Sequence, residues 1–315
     1  MNSSQNSNFS EKTPLVSIYT CVYNGERTIH RVFDSIKKLD YPNIEHVIIN
    51  DGSTDGTEEL INAYMQEVSF PVKYHKKENG GKHTALNVAW SISEGRFMVQ
   101  LDADDELLPH SISFLVETYF SIPEEIRENY WCVHGRCVTQ HGDFVGDPYP
   151  EEINETNWRI ASERASQCGG DKLGLQVAKY LSKYRLPEVK GTSHVAESIV
   201  WDQINSEYGT WYTNEVVLVY YVNEGGNLTA AKKHRSQYAP LTYYYKWQIA
   251  HPERYGNPGI RKMIKYAIAF HLSHKRYREN NAYFDGIEYK KFWLVLLYIP
   301  GMALAFVYRL LKQIK

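Results

Sequence analysis

The chain has 315 residues, 43% of them hydrophobic and 23% charged, with a formal net charge of −2. That length and mix suit one large globular domain, or one domain with an appendage. Four cysteines, at positions 21, 132, 137 and 168, are too few and too scattered to form a disulfide framework.

Residues 1–13 are polar and Ser/Asn-rich and read as a disordered N-terminus without an apolar signal region. Together with the sparse cysteines this points to a reducing, cytoplasmic compartment, so the Asn-X-Ser/Thr matches at Asn2, Asn8, Asn154 and Asn227 read as chance. "LVSIYTCVY" (15–23) then reads as a buried strand that ends at the turn signal "NGE". A helix follows, with Ile29, Phe33 and Ile36 at helical spacing. "IEHVIIN" (44–50) is a second strand, closed by the polar loop "DGSTDGT". Asp55 or Thr57 caps the next helix, whose apolar face carries Leu60, Ile61, Tyr64, Met65 and Val68.

"VKYHKK" (72–77) is a third strand, and Leu86, Ala89 and Trp90 mark a helix after the loop "ENGGKHT". "RFMVQLDADD" is a fourth strand, followed by Pro109 and the helix "SISFLVETYF". Fourfold strand–helix alternation predicts an α/β fold with a parallel sheet covered by helices, whose ligands bind at the carboxyl ends of the strands. "VYNGE", "NDGSTDG" and "DADDE" all fall at that edge. No G-x-G-x-x-G follows the first strand, and "ENGGKHT" lacks the first glycine and the final Ser/Thr of a phosphate loop. "CVHGRC" (132–137) sits in strand-like surroundings and has no second ligand pair at zinc-finger spacing.

On an extended backbone, residues two apart share a face, so Asp102 and Asp104 are expected to point the same way. Two carboxylates so placed suit a hard divalent cation such as Mn²⁺ or Mg²⁺, although a solvated acidic loop leading into a helix has the same composition. Asp51, directly after a strand, offers acceptors to a nucleobase edge, and Lys82 offers a point charge to a phosphate with Gly80 and Gly81 leaving room. An ordinary turn aspartate and a solvated lysine remain the alternatives.

"VSIYTCVYNGERTIHRVFDSI", "HVIINDGSTDGT" and "ENGGKHTALNVAWSISEGRFMVQLDADDELLP" together resemble the donor domain of the family 2 glycosyltransferases, over roughly residues 14–125. The resemblance is to the bacterial surface-polysaccharide type. It implies an inverting enzyme with a GT-A fold, a Rossmann-like, mostly parallel sheet flanked by helices. Residues 14–125 would form the donor half and 126–230 the acceptor and catalytic half of one domain. The donor implied is a nucleotide-sugar, a UDP-sugar first of all. Asp51 would then contact its base, and Thr20, Val22, Tyr23 and Asn24 would line its pocket with Ser53, Gly81, Lys82 and Asn87. Asp102-Ala103-Asp104 would be the D-x-D motif, whose Asp104, with Asp102, binds the metal that bridges the diphosphate. The segment "GGKHTALN" departs from the small residue and Arg-Asn common in the family, but keeps Asn87.

An inverting transfer needs a carboxylate base beyond the donor half. Glu197, Trp201, Ile204 and Tyr208 share one face of a predicted helix. The segment also resembles the family's downstream pattern of an acidic residue followed by Trp and Asp. Glu197 is therefore the expected base and Asp202 the reserve, with Asp171 and Trp201 expected at the acceptor. A glutamate favouring a helix start is the plainer account of position 197.

From Arg261 onward, 11 Lys/Arg stand against 3 Asp/Glu. Residues 260–278 read as a basic amphipathic helix, and 292–308 are uncharged but broken by Pro300-Gly301. A straight helix of that apolar length reaches about 25 Å, short of a ~30 Å hydrocarbon core. Residues 231–315 are thus expected to form a helical extension lying on an anionic membrane surface at the inner face of the cell membrane. A buried helical hairpin or a homo-oligomer interface is the alternative, and nucleic acid is not an expected partner. A membrane-attached transferase would suit a glycan or lipid-linked acceptor. The rival readings are a nucleotidyltransferase of similar fold and a sugar-nucleotide-binding scaffold without turnover.

Overall fold

A computed structural model describes residues 13–155, 157–188 and 195–222. The chain divides into two compact units, one of residues 1–79, 85–185 and 207–225, the other of residues 80–84, 186–206 and 226–315.

The first unit is built on one eight-stranded sheet. β1 (Val16–Val22) leads to α1 (Ile29–Lys37), β2 (Ile44–Asn50) to α2 (Thr57–Glu67), and β3 (Val72–Lys76) to α3 (Lys82–Ile92). Then come β4 (Phe97–Gln100), β5 (Glu106–Leu107), α4 (Ser111–Ser121) and α5 (Glu124–Arg127). β6 (Tyr130–Thr139), α6 (Trp158–Ala165), β7 (Lys172–Val177), α7 (Ala178–Leu181), α8 (Ser198–Asn205) and β8 (Gly209–Tyr220) complete the order. Every residue of β2 is buried, and all of β1 except Cys21, as a helix-covered parallel sheet requires. The strand order is β3-β2-β1-β4-β7-β6-β8-β5. The first four strands pair in parallel, while β7 runs antiparallel to both β4 and β6. The sheet is therefore mixed, mostly parallel on its donor side, and the strand-like reading of "CVHGRC" is borne out by β6.

Two buried polar clusters hold the sheet. His46 is fully buried, with Nδ1 3.1 Å from the Tyr64 hydroxyl and Nε2 3.1 Å from the Thr20 hydroxyl. Phe33 stacks on Tyr64 at 4.0 Å, and burial pushes the His46 imidazole down to about 3. At the opposite end of the strands, Glu45 accepts from the Ser17 hydroxyl at 2.6 Å and the Glu94 N–H at 2.7 Å, and pairs with Lys73 at 2.8 Å. Burial works against the charge of Glu45, but these partners outweigh it and hold the carboxyl below its ordinary range.

In the second unit, Glu197 occupies the N-cap position of α8, and Ile199, Val200 and Ile204 are its buried residues. No helix among the described residues is long and apolar enough to cross a membrane. The expected tail features, the basic helix at 260–278 and the apolar run at 292–308, lie outside the described residues, as do Asn2 and Asn8.

Candidate functional site

The site is built at the carboxyl ends of β1, β2 and β4, where the first two loops interlock. The Asn24 N–H donates to the Ser53 hydroxyl at 2.9 Å, and Asn24 Oδ1 accepts from the Thr54 N–H at 2.8 Å. Gly25 N–H donates to the Thr57 hydroxyl, Glu26 N–H to Asp55, and Gly56 N–H to Glu26. Asn24 adopts φ +52°, and among the described non-glycine residues it alone has positive φ. Asparagine tolerates that conformation, which supports the loop crossing. Val22 and Thr20 are buried and Tyr23 is 54% exposed, so of these three only Tyr23 presents its side chain to solvent.

Asp51 follows β2 and donates its N–H to the Val22 carbonyl at 2.8 Å. Its carboxylate is almost wholly buried and lies 2.6 Å from Lys77 Nζ, which also donates to the Glu78 carbonyl. Gly52 has φ +76°, and a Cβ there would come within 2.8 Å of the Asn79 nitrogen, so the backbone passes where no larger residue fits. Ser53 N–H donates to Asn50 Oδ1, which makes Ser53 part of the loop buckle.

β4 ends at Gln100, sooner than the sequence suggests. Asp102 to Asp104 therefore lie in a tight turn closed by the Asp105 N–H donating to the Asp102 carbonyl at 3.2 Å, not on an extended strand. The turn replaces strand alternation as the reason the acids converge. Asp102, Asp104 and Asp105 each bring one carboxylate oxygen within 4.8 Å of the others. An all-oxygen donor set of this kind fits a hard divalent cation.

Asp105, the residue after the D-x-D motif, also belongs to the cluster. It is 4% exposed and accepts from the Tyr221 N–H at 3.1 Å. The Tyr221 hydroxyl donates to Glu106 at 3.1 Å. The Arg31 guanidinium lies 4.0 Å from the Tyr221 ring centre and reaches the Asp104 carbonyl at 3.5 Å. Gln100 donates to Asp102 at 3.2 Å. Tyr221 and Arg31 are not singled out in the sequence, although Arg31 lies in the first stretch that carries the resemblance, because only the fold brings them to the acidic turn. Lys77 reads in the sequence simply as the end of the expected strand 72–77.

Asn87 is buried on α3, and its carbonyl accepts from Arg185 at 3.3 Å. Asp171 is exposed immediately before β7, and Ala103 is half-buried in the acidic turn. In the second unit Gly81 has φ +92° and its carbonyl accepts from the Thr84 hydroxyl at 2.9 Å. Lys82 Nζ there lies 3.6 Å from Glu197 Oε1, both side chains being mostly buried. Trp201, on α8, is half-buried, as is Asp202 beside it.

Comparison with known proteins agrees with this geometry. Residues 17–126, about a third of the chain, match glycosyl transferase family 2. The chain is 38% identical over 140 residues to the hyaluronan synthase of Pasteurella multocida, a stretch covering 44% of this chain and 14% of that protein. Its identity to the chondroitin synthase of the same species is also 38% over 140 residues, with the same coverage. The chain thus spans about one-seventh of the length of these relatives. The structure resembles residues 1–349 of S. aureus TarS in complex with UDP-GlcNAc, with a TM-score of 0.59, 16% identity, and coverage of 91% of this chain and 79% of that one. It also resembles a mannosyltransferase from Pyrobaculum calidifontis in complex with GDP-Man and Mn²⁺, with a TM-score of 0.53, 20% identity, and coverage of 95% and 83%. At such identities these two likenesses establish the shared fold. A sheet whose first two loops interlock at one edge, an Asp-Ala-Asp turn at that same edge, and the sequence match together identify a family 2 glycosyltransferase domain at residues 17–126 of this chain.

Proposed function

We propose that the protein is an inverting, metal-dependent glycosyltransferase that moves a sugar from a UDP-sugar donor to a hydroxyl of a glycan or lipid-linked acceptor. The observation that carries this reading is the convergence of Asp102, Asp104 and Asp105 at the strand edge that also bears Asp51. The TarS complex with UDP-GlcNAc and the mannosyltransferase complex with GDP-Man and Mn²⁺ support a nucleotide-sugar donor and a divalent cation.

Asp104 and Asp102, with Asp105, would hold Mn²⁺ or Mg²⁺, which when bound offsets the charge of the departing diphosphate. Asp51 accepts a hydrogen bond from the nucleobase, while Tyr23, Asn24 and Ser53 shape the pocket mouth. Glu197 takes the proton of the acceptor hydroxyl, and that oxygen forms the new bond to the anomeric carbon as the bond to the diphosphate breaks. Attack opposite the leaving group inverts the anomeric centre. Asp171 and Trp201 bind the acceptor, and Lys82 acts beside Glu197. The basic C-terminal residues hold the enzyme at the inner face of the membrane. A chain truncated before Phe292 should then partition to anionic vesicles less than the intact chain, and equal partitioning refutes the anchoring role.

A panel of nucleoside diphosphates and their sugars, with and without Mn²⁺, tests the donor assignment by thermal shift, because a ligand stabilises in proportion to its occupancy. UDP and one UDP-sugar should stand out and require the metal. Stabilisation by none of them contradicts the reading.

A further inference from the structure

β6 and β7 bring two cations together at the edge that carries the acidic turn. Arg136 pairs with Lys172 across the two strands. β7 also runs antiparallel to β4, with Leu175 opposite Val99, so Lys172 reaches the end of the sheet from which β4 delivers Asp102. The Asp105 charge is felt at the Cys137 thiol next to Arg136.

Both cations are withdrawn from water. Arg136 is 5% exposed; its Nη2 donates to the Gly146 carbonyl at 3.0 Å, its guanidinium lies 4.2 Å from the Phe144 ring centre, and its buried Nε has no hydrogen-bond partner. Lys172 is half-buried; its Nζ donates to the Val145 carbonyl at 3.1 Å and lies 5.4 Å from the Tyr149 ring centre. Among the described residues no carboxylate lies within 4.0 Å of either charge. Burial pushes the Cys137 thiol up to about 12, so it stays neutral and does not compensate them. Burial also lowers the Lys172 ammonium below its ordinary value, and Arg136 adds to this while the neighbouring Asp171 opposes it.

Buried charges are ordinarily paired, and like charges directly opposite on neighbouring strands destabilise a sheet. Neither charge is free to leave. The carbonyls of Val145 and Gly146 are pressed against the cations by a second turn, since a Cβ on Gly170 would come within 2.6 Å of the Val145 carbonyl carbon. Gly146 and Gly170 both hold positive φ to allow this. A fixed pair of cations with no carboxylate in direct contact among the described residues, Asp171 and Asp105 acting on this region only from farther off, has the character of an anion seat.

We propose that Arg136 and Lys172 form an anion-binding subsite that takes an oxyanion group of the acceptor, a carboxylate or a phosphate. Lys172, the more accessible of the two, makes the direct contact, and Arg136 adds its charge from beneath. That the anion belongs to an acceptor rests on the glycosyltransferase reading; the anion seat itself does not.

The test uses the full chain in EDTA, without nucleotide, and follows thermal stability and calorimetric binding with glucuronate, glycerol phosphate and neutral glucose. At least one of the two anions should bind saturably and glucose should not. Binding by glucuronate alone identifies a carboxylate site, and binding by glycerol phosphate alone a phosphate site. Lys172→Gln, which keeps a donor for Val145, should weaken that binding about tenfold or more, the cost of losing one charge-assisted hydrogen bond, while Lys172→Arg retains it. UDP with Mn²⁺ should bind Lys172→Gln as it binds the wild type. Failure of both anions to bind the wild type overturns the proposal without any variant, as does equal anion binding by Lys172→Gln. Loss of UDP binding in the wild type would instead count against the glycosyltransferase reading and leave the anion result standing.

Discussion

The Lys77 ammonium sits 2.6 Å from the carboxylate of Asp51, whose side chain is 5% exposed. The pair is asymmetric, because Lys77 has a flexible stem near the surface and Asp51 does not. Replacing Lys77 takes a charged partner from a buried carboxylate, whereas replacing Asp51 leaves a lysine whose flexible stem reaches water. Lys77→Gln should therefore destabilise the protein more than Asp51→Asn, by about 1–3 kcal/mol in denaturant unfolding. Asp51→Asn should instead lower UDP affinity about tenfold, the worth of one hydrogen bond to a charged acceptor. Equal stability losses, or unchanged UDP affinity in Asp51→Asn, would contradict the assignment.

Stability should fall on acidification in two stages. His46 is buried neutral with a value near 3, below its ordinary 6.5, so the unfolded chain takes up a proton that the folded one refuses. Its contribution is complete above about 6.5 and declines as pH falls toward about 3. Glu45 is also depressed, from an ordinary 4.5, so its contribution is lost only at lower pH. Unfolding midpoints measured from pH 7 to pH 4 should show a weaker pH slope in His46→Gln than in the wild type between 6.5 and 5. Parallel slopes would mean the imidazole is not buried neutral.

The 3.6 Å contact of Lys82 with Glu197 bears on what Lys82 does. If it serves the base, Lys82→Met should lower kcat about tenfold and shift the donor KM less than threefold. A large rise in donor KM at unchanged kcat would make Lys82 a phosphate contact instead. Glu197→Gln should keep donor binding and lose transfer, and retained transfer would move the base elsewhere.

Tyr221 ties the acidic turn to the strand end through two different atoms. Tyr221→Phe removes only the hydroxyl contact with Glu106, so Mn²⁺ affinity should fall less than about threefold. Asp105→Asn alters the cluster itself and should cost at least about tenfold. Equal effects of the two substitutions would place Asp105 outside the cation seat.

The first strands were legible because β1 and β2 are rich in β-branched apolar residues and stop at glycine-containing turns. Asp51, Asp102 and Asp104 were legible for the same reason, since each falls where such a run ends. The reason for the acids' convergence was not, because an extended strand and a tight turn both place residues two apart near each other. Asp105 looked like a loop residue until Tyr221, 116 positions away, supplied its partner. Thr20 shows a further limit: its hydroxyl turns inward to His46, which strand alternation alone does not reveal. Arg136 and Lys172 read as unremarkable strand residues, and only the cross-strand register sets them side by side.

The Asp102–Asp105 turn is expected to seat a divalent cation together with a nucleoside diphosphate. Calorimetric titration of UDP into wild type and Asp104→Asn, each with Mn²⁺ and with EDTA, tests it most directly. The wild type should bind UDP at least about tenfold more tightly with Mn²⁺, and Asp104→Asn should bind it equally weakly in both buffers. Metal-independent binding by the wild type, or undiminished metal dependence in Asp104→Asn, would contradict the account.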